Sequence, residues 1–394
     1  MDYEITRASS SESGATAAAA VPSSSSPGRA AEPRAPVPSS DGLAGVVAAR
    51  TALSHVDGKR GELVIAGAAV DDFAPRLTFD QTIERLLGID DASQRLRPQR
   101  ALSATTLEVL SRCRDRDPMD ALRIAFGTLE CEGTDRVDQA LALLAKVPSI
   151  VATHARLRRG LDAGSPPNGG GTARAFLEHL DAAAPGSARV RALDTYLNTV
   201  CDHGMNASTF TARVIASTGS DLVSALTGAI GALKGPLHGG APGPALDMVF
   251  EIATIERAEN FLRSKLARGE RLMGFGHRIY RVRDPRADVL GAAARRLAKE
   301  GEHQELFELA LAVEKVALRL LSERKPDRKL ETNVEFYTAL LLHGIGLEAD
   351  LFTPTFAVGR SLGWIAHCLE QVDHGKLIRP DSIYIGPMPT AGTG

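Results

Sequence analysis

Aromatic residues are scarce in this chain of 394 residues, which has one tryptophan, five tyrosines and 12 phenylalanines. Strands are enriched in aromatic and β-branched residues, whereas alanine and leucine, both abundant here, favour helices. The composition therefore predicts a mainly helical protein. Since 44% of the residues are apolar, a sizeable core can form, and the length allows two or three domains.

Cysteine is also rare, and its spacing argues against both a disulfide-rich protein and a cysteine-based zinc protein. The four cysteines, Cys113, Cys131, Cys201 and Cys368, lie far apart and form no CxxC pair. Neither a disulfide framework nor a cysteine zinc cluster is expected. The ten histidines form no HExxH or HxH pattern, so a metal site would need scattered ligands and we expect none.

Neither a strong charge excess nor a long apolar run is present. The formal net charge of -2 gives no reason to expect a nucleic-acid partner or a membrane surface. No apolar run reaches the ~18 residues of a membrane span. The first four residues, MDYE, lack the apolar segment of a secretory signal and contain two acids, which disfavour a mitochondrial presequence. These features predict a soluble cytoplasmic protein with reduced thiols.

The N-terminal segment 1–41 is rich in alanine, serine and proline. Such a segment buries too little apolar surface to offset its ordering entropy, so we expect a disordered tail. Folding is expected to begin near Gly42.

Helical signals dominate the rest of the chain. Residues 61–70 predict one or two short strands, and Asp117 before Pro118 predicts a capped helix start. Apolar spacing predicts a helix over 136–158 that is broken at Pro148, and another from Asp221 that stops at 234–236. Further helices are expected at 244–265, 287–299, 303–323 and 355–370. Because strands and helices do not alternate, the predicted fold is all-α.

Two glycine-rich segments between helices, 235–243 and 274–286, each contain a histidine. Glycine allows the backbone to approach a ligand closely. His238 is a candidate proton donor or oxyanion stabiliser, or else an ordinary turn histidine. His277 is followed by four arginines, which suit either a solvated face or a site for carboxylates and phosphates. The residues alone leave both alternatives open.

Three further residues have both a structural and a functional interpretation. His203 precedes a helix start at Asn206 or Ser208, where a capping or core role is the simpler alternative. Glu335 opens an apolar helix, either as a first-turn acid that favours the helix dipole or as a general base. Arg360 lies in the apolar segment 352–367, where an arginine usually needs a buried anionic partner.

Six segments together resemble the citrate synthase family. They are GLAGVVAARTALSHVDGKRGELV at 42–64, DHGMNASTFTARV at 202–214, GPLHGGAP at 235–242, MGFGHRIYRVRDPRA at 273–287, NVEFYTA at 333–339 and LFTPTFAVGRSLGWIAHCLEQ at 351–371. They occur in the family's order and spacing, and the resemblance covers nearly everything after residue 41.

The resemblance implies a homodimer of mostly helical subunits that condenses a short acyl-CoA with oxaloacetate. Each subunit would have a large domain, residues 42–240 and 341–394, and a small domain, residues 241–340, with the active site in the cleft between them. The reaction would need no metal and no resident cofactor, because the CoA thioester is a substrate.

The resemblance also implies three catalytic roles. His238 would stabilise the enol or enolate of the acyl-CoA, His277 would polarise the ketone of oxaloacetate, and Glu335 would remove the α-proton. Binding roles follow in the same way. His203, Arg286 and Arg360 would hold the oxaloacetate carboxylates, and Arg379 would reach the partner subunit's site. Weaker candidates for the CoA phosphates are Arg278, Arg281 and Arg328.

Two departures from the family pattern stand out. Glu335 occupies a position that is usually aspartate, and its extra methylene displaces the carboxylate by about 1 Å unless the chain adjusts, a shift that can cost roughly a hundredfold in rate. Glutamate here together with GGAP is similar to a bacterial side branch of the family. Residues 65–74 lack the aromatic and arginine-containing turn of most relatives, which puts contacts from that turn in doubt.

Three functions therefore compete. The first is a citrate synthase, or a 2-methylcitrate synthase that uses propionyl-CoA. The second is another carbon–carbon bond enzyme with the same fold. The third is a catalytically weak relative that binds oxaloacetate or CoA, for which the only support is Glu335.

Overall fold

The computed structural model describes residues 41–43, 45–131, 133, 135–239, 242–276, 280, 282–301, 303–326 and 330–387. The tail that we expect to be disordered lies outside these residues except for its last one. The described residues from 48 onward form one compact unit. The division into a large and a small domain stays a prediction.

Helices dominate the described residues, as the sequence predicts. They are α1 Val70–Phe73, α2 Phe79–Leu87, α3 Ala92–Leu96, α4 Ala104–Arg112, α5 Pro118–Phe126, α6 Arg136–Arg158, α7 Thr172–Asp181, α8 Ser187–Val200, α9 Ala207–Ala216, α10 Leu222–Lys234, α11 Pro242–Ile252, α12 Ile255–Ala267, α13 Pro285–Glu300, α14 Gln304–Arg324, α15 Val334–Ile345 and α16 Phe352–His374. Short 3-10 turns occupy Asp41–Leu43, Arg97–Gln99 and Ala349–Leu351. The all-α prediction is confirmed.

A small antiparallel sheet precedes the helices. Strand β1 (Ser54–Asp57) pairs with β2 (Glu62–Ile65), which pairs with β3 (Ala68–Ala69). The strands predicted within residues 61–70 are therefore confirmed. Strand β1 was not predicted, because its four residues show no clear apolar alternation.

Helix α6 corrects the expectation of a break at Pro148. It runs without interruption from Arg136 to Arg158 with Pro148 inside it. A proline costs a helix interior roughly 3 kcal/mol, because one backbone hydrogen bond is lost. Every residue from Ala140 to Arg156 is buried, so packing offsets this cost. By length and composition α6 could cross a membrane, but its most apolar window is 94% buried, as in a core helix.

The helix predicted over 244–265 is two helices. Helix α11 ends at Ile252, Ala253 adopts a left-handed backbone with φ of 63°, and α12 begins at Ile255. The backbone N–H of Ala253 still donates to the carbonyl of Val249, which ends α11. The turn contains neither glycine nor proline, so the sequence pattern gives no signal for it.

Helix α16 lies at the centre of the described unit, where it packs against α6, α8, α9 and α10. Two glycines allow this close packing. A Cβ on Gly359 would lie 3.0 Å from the Leu197 carbonyl oxygen, and a Cβ on Gly363 would lie 2.3 Å from that of Cys201. Helix α13 packs against α8 and α15. These contacts bring the ends of α8, α9, α13 and α15 toward one region.

A buried polar network fastens α16 to α9 and to the loop after α8. Arg213 donates to Nδ1 of His367 at 2.9 Å, to Glu370 at 2.6 Å and to Gln371 at 3.0 Å. Because an arginine can only donate, Nδ1 of His367 accepts, and its Nε2 faces the buried carboxylate of Asp202 at 3.3 Å. The network fixes the backbone next to His203.

We expect Arg213→Met to lower the free energy of unfolding by ~3–5 kcal/mol, because Glu370 then loses a buried cationic partner. Urea denaturation at one protein concentration measures the change. The control is Arg112→Met, since Arg112 pairs with Glu108 on the exposed surface of α4 and such pairs contribute under ~1 kcal/mol. Equal losses in the two variants would contradict the assignment of a stabilising role to the buried network.

Candidate active site

His238 lies in the turn that follows α10, and its position depends on a glycine. A Cβ on Gly239 would lie 2.3 Å from the Leu233 carbonyl oxygen, so only glycine fits there. The backbone N–H of His238 donates to the Gly235 carbonyl at 2.9 Å, which closes the turn. Helix α10 ends before this turn, as predicted.

The imidazole of His238 is neutral at neutral pH. Burial lowers the pKa of His238 to about 4, and the positive charge of Arg360 adds to this effect. A neutral imidazole carries one N–H and one lone pair, so the hydrogen bonds of its two nitrogens decide what it can do.

Two groups of Ser208 face Nε2 of His238. The Ser208 hydroxyl lies 2.8 Å away and its backbone N–H lies 3.4 Å away. The single hydroxyl proton of Ser208 can go either to Nε2 or to Oδ1 of Asn206, which is also 2.8 Å from the Ser208 oxygen. The backbone N–H of Ser208 can only donate, and it therefore assigns Nε2 as the accepting nitrogen and the ring proton to Nδ1. Trp364 on α16 donates to the Ser208 oxygen at 3.0 Å and holds the hydroxyl in place. His238 can therefore donate a hydrogen bond from Nδ1.

Glu335 lies in the first turn of α15, as the sequence predicts. Asn333 caps this helix, and its side chain accepts from the Glu335 backbone N–H at 3.0 Å. Burial raises the pKa of the Glu335 carboxyl, while Arg286 lowers it and Asp284 raises it further. A carboxylate with a raised pKa is a better proton acceptor than an ordinary glutamate.

The backbone before Glu335 is tied to the second glycine-rich segment. Phe275 and Thr332 form an antiparallel bridge, and the Asn333 N–H donates to the Gly274 carbonyl at 3.0 Å. A Cβ on Gly274 would lie 2.8 Å from Phe336, so this contact requires glycine.

Arg286 is buried at the start of α13 and is held by Asp284. The guanidinium donates to the two carboxylate oxygens of Asp284 at 3.0 and 2.8 Å. Asp284 also caps α13 in front of Pro285. This pair fixes the guanidinium 5.9 Å from the ring centre of Tyr280.

His203 lies close to the same tyrosine. Nε2 of His203 is 3.1 Å from the hydroxyl of Tyr280, and the two rings meet edge to face. His203 is buried in the loop before α9, and Asn206, one of the two predicted caps, starts that helix. Tyr280 thus connects His203 with Arg286.

Arg360 is 1% exposed on α16. Its Nε donates to the Val200 carbonyl at 2.6 Å, and its guanidinium lies 4.6 Å from the ring centre of Phe356. Within the described part of the chain, no carboxylate forms an ion pair with it. Burial lowers the pKa of Arg360 to about 10, and among its neighbours Asp202 raises this pKa while Arg286 lowers it.

Three pairs among these side chains lie within electrostatic range of each other, and we treat the residues of these pairs as one cluster. The positive charge of Arg360 lowers the pKa of His238. The positive charge of Arg286 lowers the pKa of Arg360 and that of Glu335. The arrangement can bind an anion at its guanidiniums, donate a hydrogen bond from an imidazole and accept a proton at a carboxylate.

The other predicted site residues are not part of this described cluster. His277, Arg278, Arg281 and Arg328 lie outside the described residues. Arg379 is exposed on the segment that follows α16. Sequence reasoning missed Ser208, Trp364, Tyr280 and Asp284. Only Asp284 gave a signal, since it stands before a proline at a helix start.

Comparisons with known proteins agree with one another. The family described as citrate synthase, C-terminal domain, matches residues 42–381. Citrate synthase 2 from Bacillus subtilis is 38% identical over 364 residues, which cover 88% of this chain and 95% of that protein. The 2-methylcitrate synthase of Mycobacterium tuberculosis is 38% identical over 360 residues, covering 88% and 90%.

Solved structures give the same result. The citrate synthase of Pyrobaculum aerophilum superposes with a TM-score of 0.81 and 34% identity, covering 90% of this chain and 94% of that chain. The citrate synthase of Thermoplasma acidophilum, in a ternary complex with carboxymethyl coenzyme A and oxaloacetate, has a TM-score of 0.81 and 26% identity, covering 90% and 98%.

Proposed function

The chain belongs to the citrate synthase family, and on that premise we propose which of its residues carry the condensation of acetyl-CoA with oxaloacetate to citrate and CoA. The observation that carries the proposal is the cluster itself. It contains a neutral imidazole, a carboxylate of raised pKa and two buried guanidiniums, and the charge of Arg360 reaches His238 while that of Arg286 reaches both Arg360 and Glu335.

Glu335 is the base that removes the α-proton of the thioester, and His238 stabilises the oxyanion that forms. The α-proton is too weakly acidic for a free carboxylate to remove unaided, so the developing negative charge needs a preorganised donor. The ring proton on Nδ1 of His238 supplies that donor without prior protonation. The raised pKa of Glu335 makes it a stronger base than an exposed glutamate.

Arg360, Arg286 and His203 hold the carboxylates of oxaloacetate. A dianion in a buried site needs charge-assisted hydrogen bonds. Arg360 is suited to this role, because its guanidinium lacks a carboxylate partner in the described chain. Arg286, which Asp284 fixes in orientation, presents a preorganised positive charge within electrostatic range of Arg360.

Other roles stay predictions from the family resemblance. His277 would polarise the ketone of oxaloacetate, and Arg278, Arg281 and Arg328 would contact CoA phosphates. Closure of the predicted small domain over bound oxaloacetate would exclude water and complete the acyl-CoA site. Hydrolysis of the citryl-CoA-like thioester then makes the reaction irreversible in practice.

We further infer a cytoplasmic homodimer in which Arg379 reaches the partner subunit's active site. The exposure of Arg379 on the segment after α16 supports this proposal. No metal or resident cofactor is needed, because acid–base groups and the CoA thioester account for the chemistry.

The direct test follows free-thiol release by the purified protein with oxaloacetate and acetyl-CoA. We expect release that depends on oxaloacetate. The absence of release, from a folded protein that still binds oxaloacetate, would contradict the assignment. The second candidate is 2-methylcitrate synthase, favoured by the equal identity to a relative of that name. Specificity constants with propionyl-CoA decide between them, since one methylene contributes only ~1–3 kcal/mol of discrimination.

We expect Ser208→Ala to lower kcat by ~10-fold or more and to change the KM for oxaloacetate little, because His238 then loses the hydroxyl that orients Nε2. Steady-state kinetics with both substrates measures the split. The control is Ser361→Ala, because Ser361 is a buried serine on α16 whose hydroxyl donates within its own helix, to the Val358 carbonyl. Equal kinetic losses in both variants would assign Ser208 a packing role alone.

A further inference from the structure

A cavity of about 430 Å³ lies along α13, and the small residues Ala287, Gly291 and Ala292 are among those that line it. Arg295, Arg296 and Lys299 line it, together with Arg283 and Tyr337. Lys299 lies four residues after Arg295 and three after Arg296, so its Cβ atom is ~5–6 Å from the Cβ atom of each arginine, and all three side chains line the cavity. None of the residues in the catalytic cluster lines this cavity.

The cavity carries a net positive charge. Arg283 is neutralised, because it pairs with Asp288 and, at 3.1 Å, with Glu314. Arg295, Arg296 and Lys299 form no ion pair with any described carboxylate. The guanidinium of Arg295 lies 5.7 Å from the ring centre of Phe307, which limits its freedom. Three cations around a concave floor suit an anion with several charged oxygens.

One wall of the cavity is connected to Glu335 through the buried carboxylate of Glu314. Tyr337 donates to Glu314 at 2.6 Å, Thr332 donates to it at 2.5 Å, and Arg283 completes the set. Thr332 and Tyr337 lie three residues before and two residues after Glu335 in the chain. An anion that attracts Arg283 away from Glu314 would loosen the segment that positions the catalytic carboxylate.

We propose that this cavity is a regulatory site for a small polyphosphate anion and that its occupation lowers turnover. The volume is in the range of small-molecule sites, roughly 300–1,000 Å³. The binding of the anion does not depend on which reaction the protein catalyses, whereas the effect on turnover rests on the proposed function. The phosphates of CoA carry the same kind of charged oxygens, so the experiment separates a free polyphosphate from CoA as the ligand.

The binding test titrates inorganic triphosphate into the full chain by isothermal calorimetry at fixed ionic strength. We expect the triple variant Arg295→Ala, Arg296→Ala, Lys299→Ala to bind at least ~30-fold more weakly. The control variant Lys59→Ala, Arg116→Ala, Arg257→Ala removes the same charge from exposed residues outside the cavity and is expected to stay within about threefold. Equal weakening in both variants, or no binding to the unaltered chain, would overturn the site.

The kinetic test compares kcat with and without triphosphate. In the unaltered chain and the control variant, we expect kcat to fall at least ~threefold at saturating triphosphate with little change in the KM for acetyl-CoA, because a loosened base lowers turnover rather than substrate binding. In the cavity variant kcat should stay constant. An equal fall in both variants overturns the regulatory role. A KM for acetyl-CoA raised at least ~tenfold in the cavity variant alone would assign the cavity to CoA instead. If no thiol release occurs at all, the proposed function fails, and calorimetry still decides whether the cavity binds anions.

Discussion

Replacing Glu335 by glutamine is expected to lower kcat by ~10²–10⁴-fold, the usual contribution of a general base. Glutamine keeps the size of the side chain and the backbone bond to Asn333, so α15 should start normally. The substitution removes the carboxylate, which is the only group in the described cluster to which we assign proton removal. Initial rates of thiol release with saturating substrates measure the effect.

The pH profile of the unaltered enzyme provides a second measurement on the same residue. Burial raises the pKa of Glu335 above the ordinary value of a glutamate, and catalysis needs its deprotonated form. Activity should therefore fall on the acid side at a higher pH than an unperturbed glutamate would give. In Glu335→Gln this limb should be absent from the residual rate.

The control for Glu335 is Glu305→Gln. Glu305 is an exposed acid in the first turn of α14 and matches Glu335 in its position on a helix. We expect it to change stability by ~0.3–1 kcal/mol through the helix dipole and to leave kcat unaltered. If Glu335→Gln behaves in the same way, Glu335 is a helix-dipole residue and the chain uses another base.

The aspartate variant tests whether the site is built around glutamate. Glu335→Asp draws the carboxylate back by about 1 Å, and a misplacement of this size can cost roughly a hundredfold in rate. We expect kcat to fall, because the bridge from Phe275 to Thr332 and the Asn333 cap fix the backbone at this position. A rise in kcat would mean that glutamate is a weakened substitute for aspartate.

The sequence predicted the architecture well where the signal is local. Asp117 before Pro118 starts α5, and α10 ends before Gly235, because capping residues and proline act within one turn. Pro148 misled the prediction, because the packing around α6 outweighs a local penalty. The division between α11 and α12 at Ala253 could not be predicted, because no glycine or proline marks it.

Part of the candidate site was predictable for a different reason. His238 and Glu335 stood out because of glycine neighbours and a helix start, although the residues alone left their roles open. The role of Ser208 could not be inferred, because it depends on Trp364, which is 156 residues away in the chain. Such contacts arise only when α16 packs against the start of α9.

Replacing Arg360 by methionine is expected to stabilise the unliganded protein and to abolish most of its affinity for oxaloacetate. Burial lowers the pKa of Arg360 to about 10, below its ordinary value of 12.5, so the charged form is disfavoured in the folded state. The lowered pKa corresponds to a destabilisation of the folded protein by roughly 3 kcal/mol. This destabilisation is fully present at every pH below about 10, where Arg360 is charged. Methionine fills much of the same volume without a charge, so the free energy of unfolding should rise by ~1–3 kcal/mol.

The substrate should reverse this balance in the unaltered protein. In the unaltered protein, Arg360 donates charge-assisted hydrogen bonds to a substrate carboxylate. Their loss in Arg360→Met should weaken oxaloacetate binding by ~10²-fold or more. Thermal unfolding with and without oxaloacetate measures both effects, since a ligand that binds only the folded state raises the melting temperature. Arg213→Met is the matched control, because Arg213 is equally buried but pairs with Glu370. The same substitution should therefore destabilise the protein at Arg213 and stabilise it at Arg360. A loss of stability at both positions, with oxaloacetate still raising the melting temperature of Arg360→Met, would show that Arg360 is a structural arginine and that the substrate carboxylates bind elsewhere.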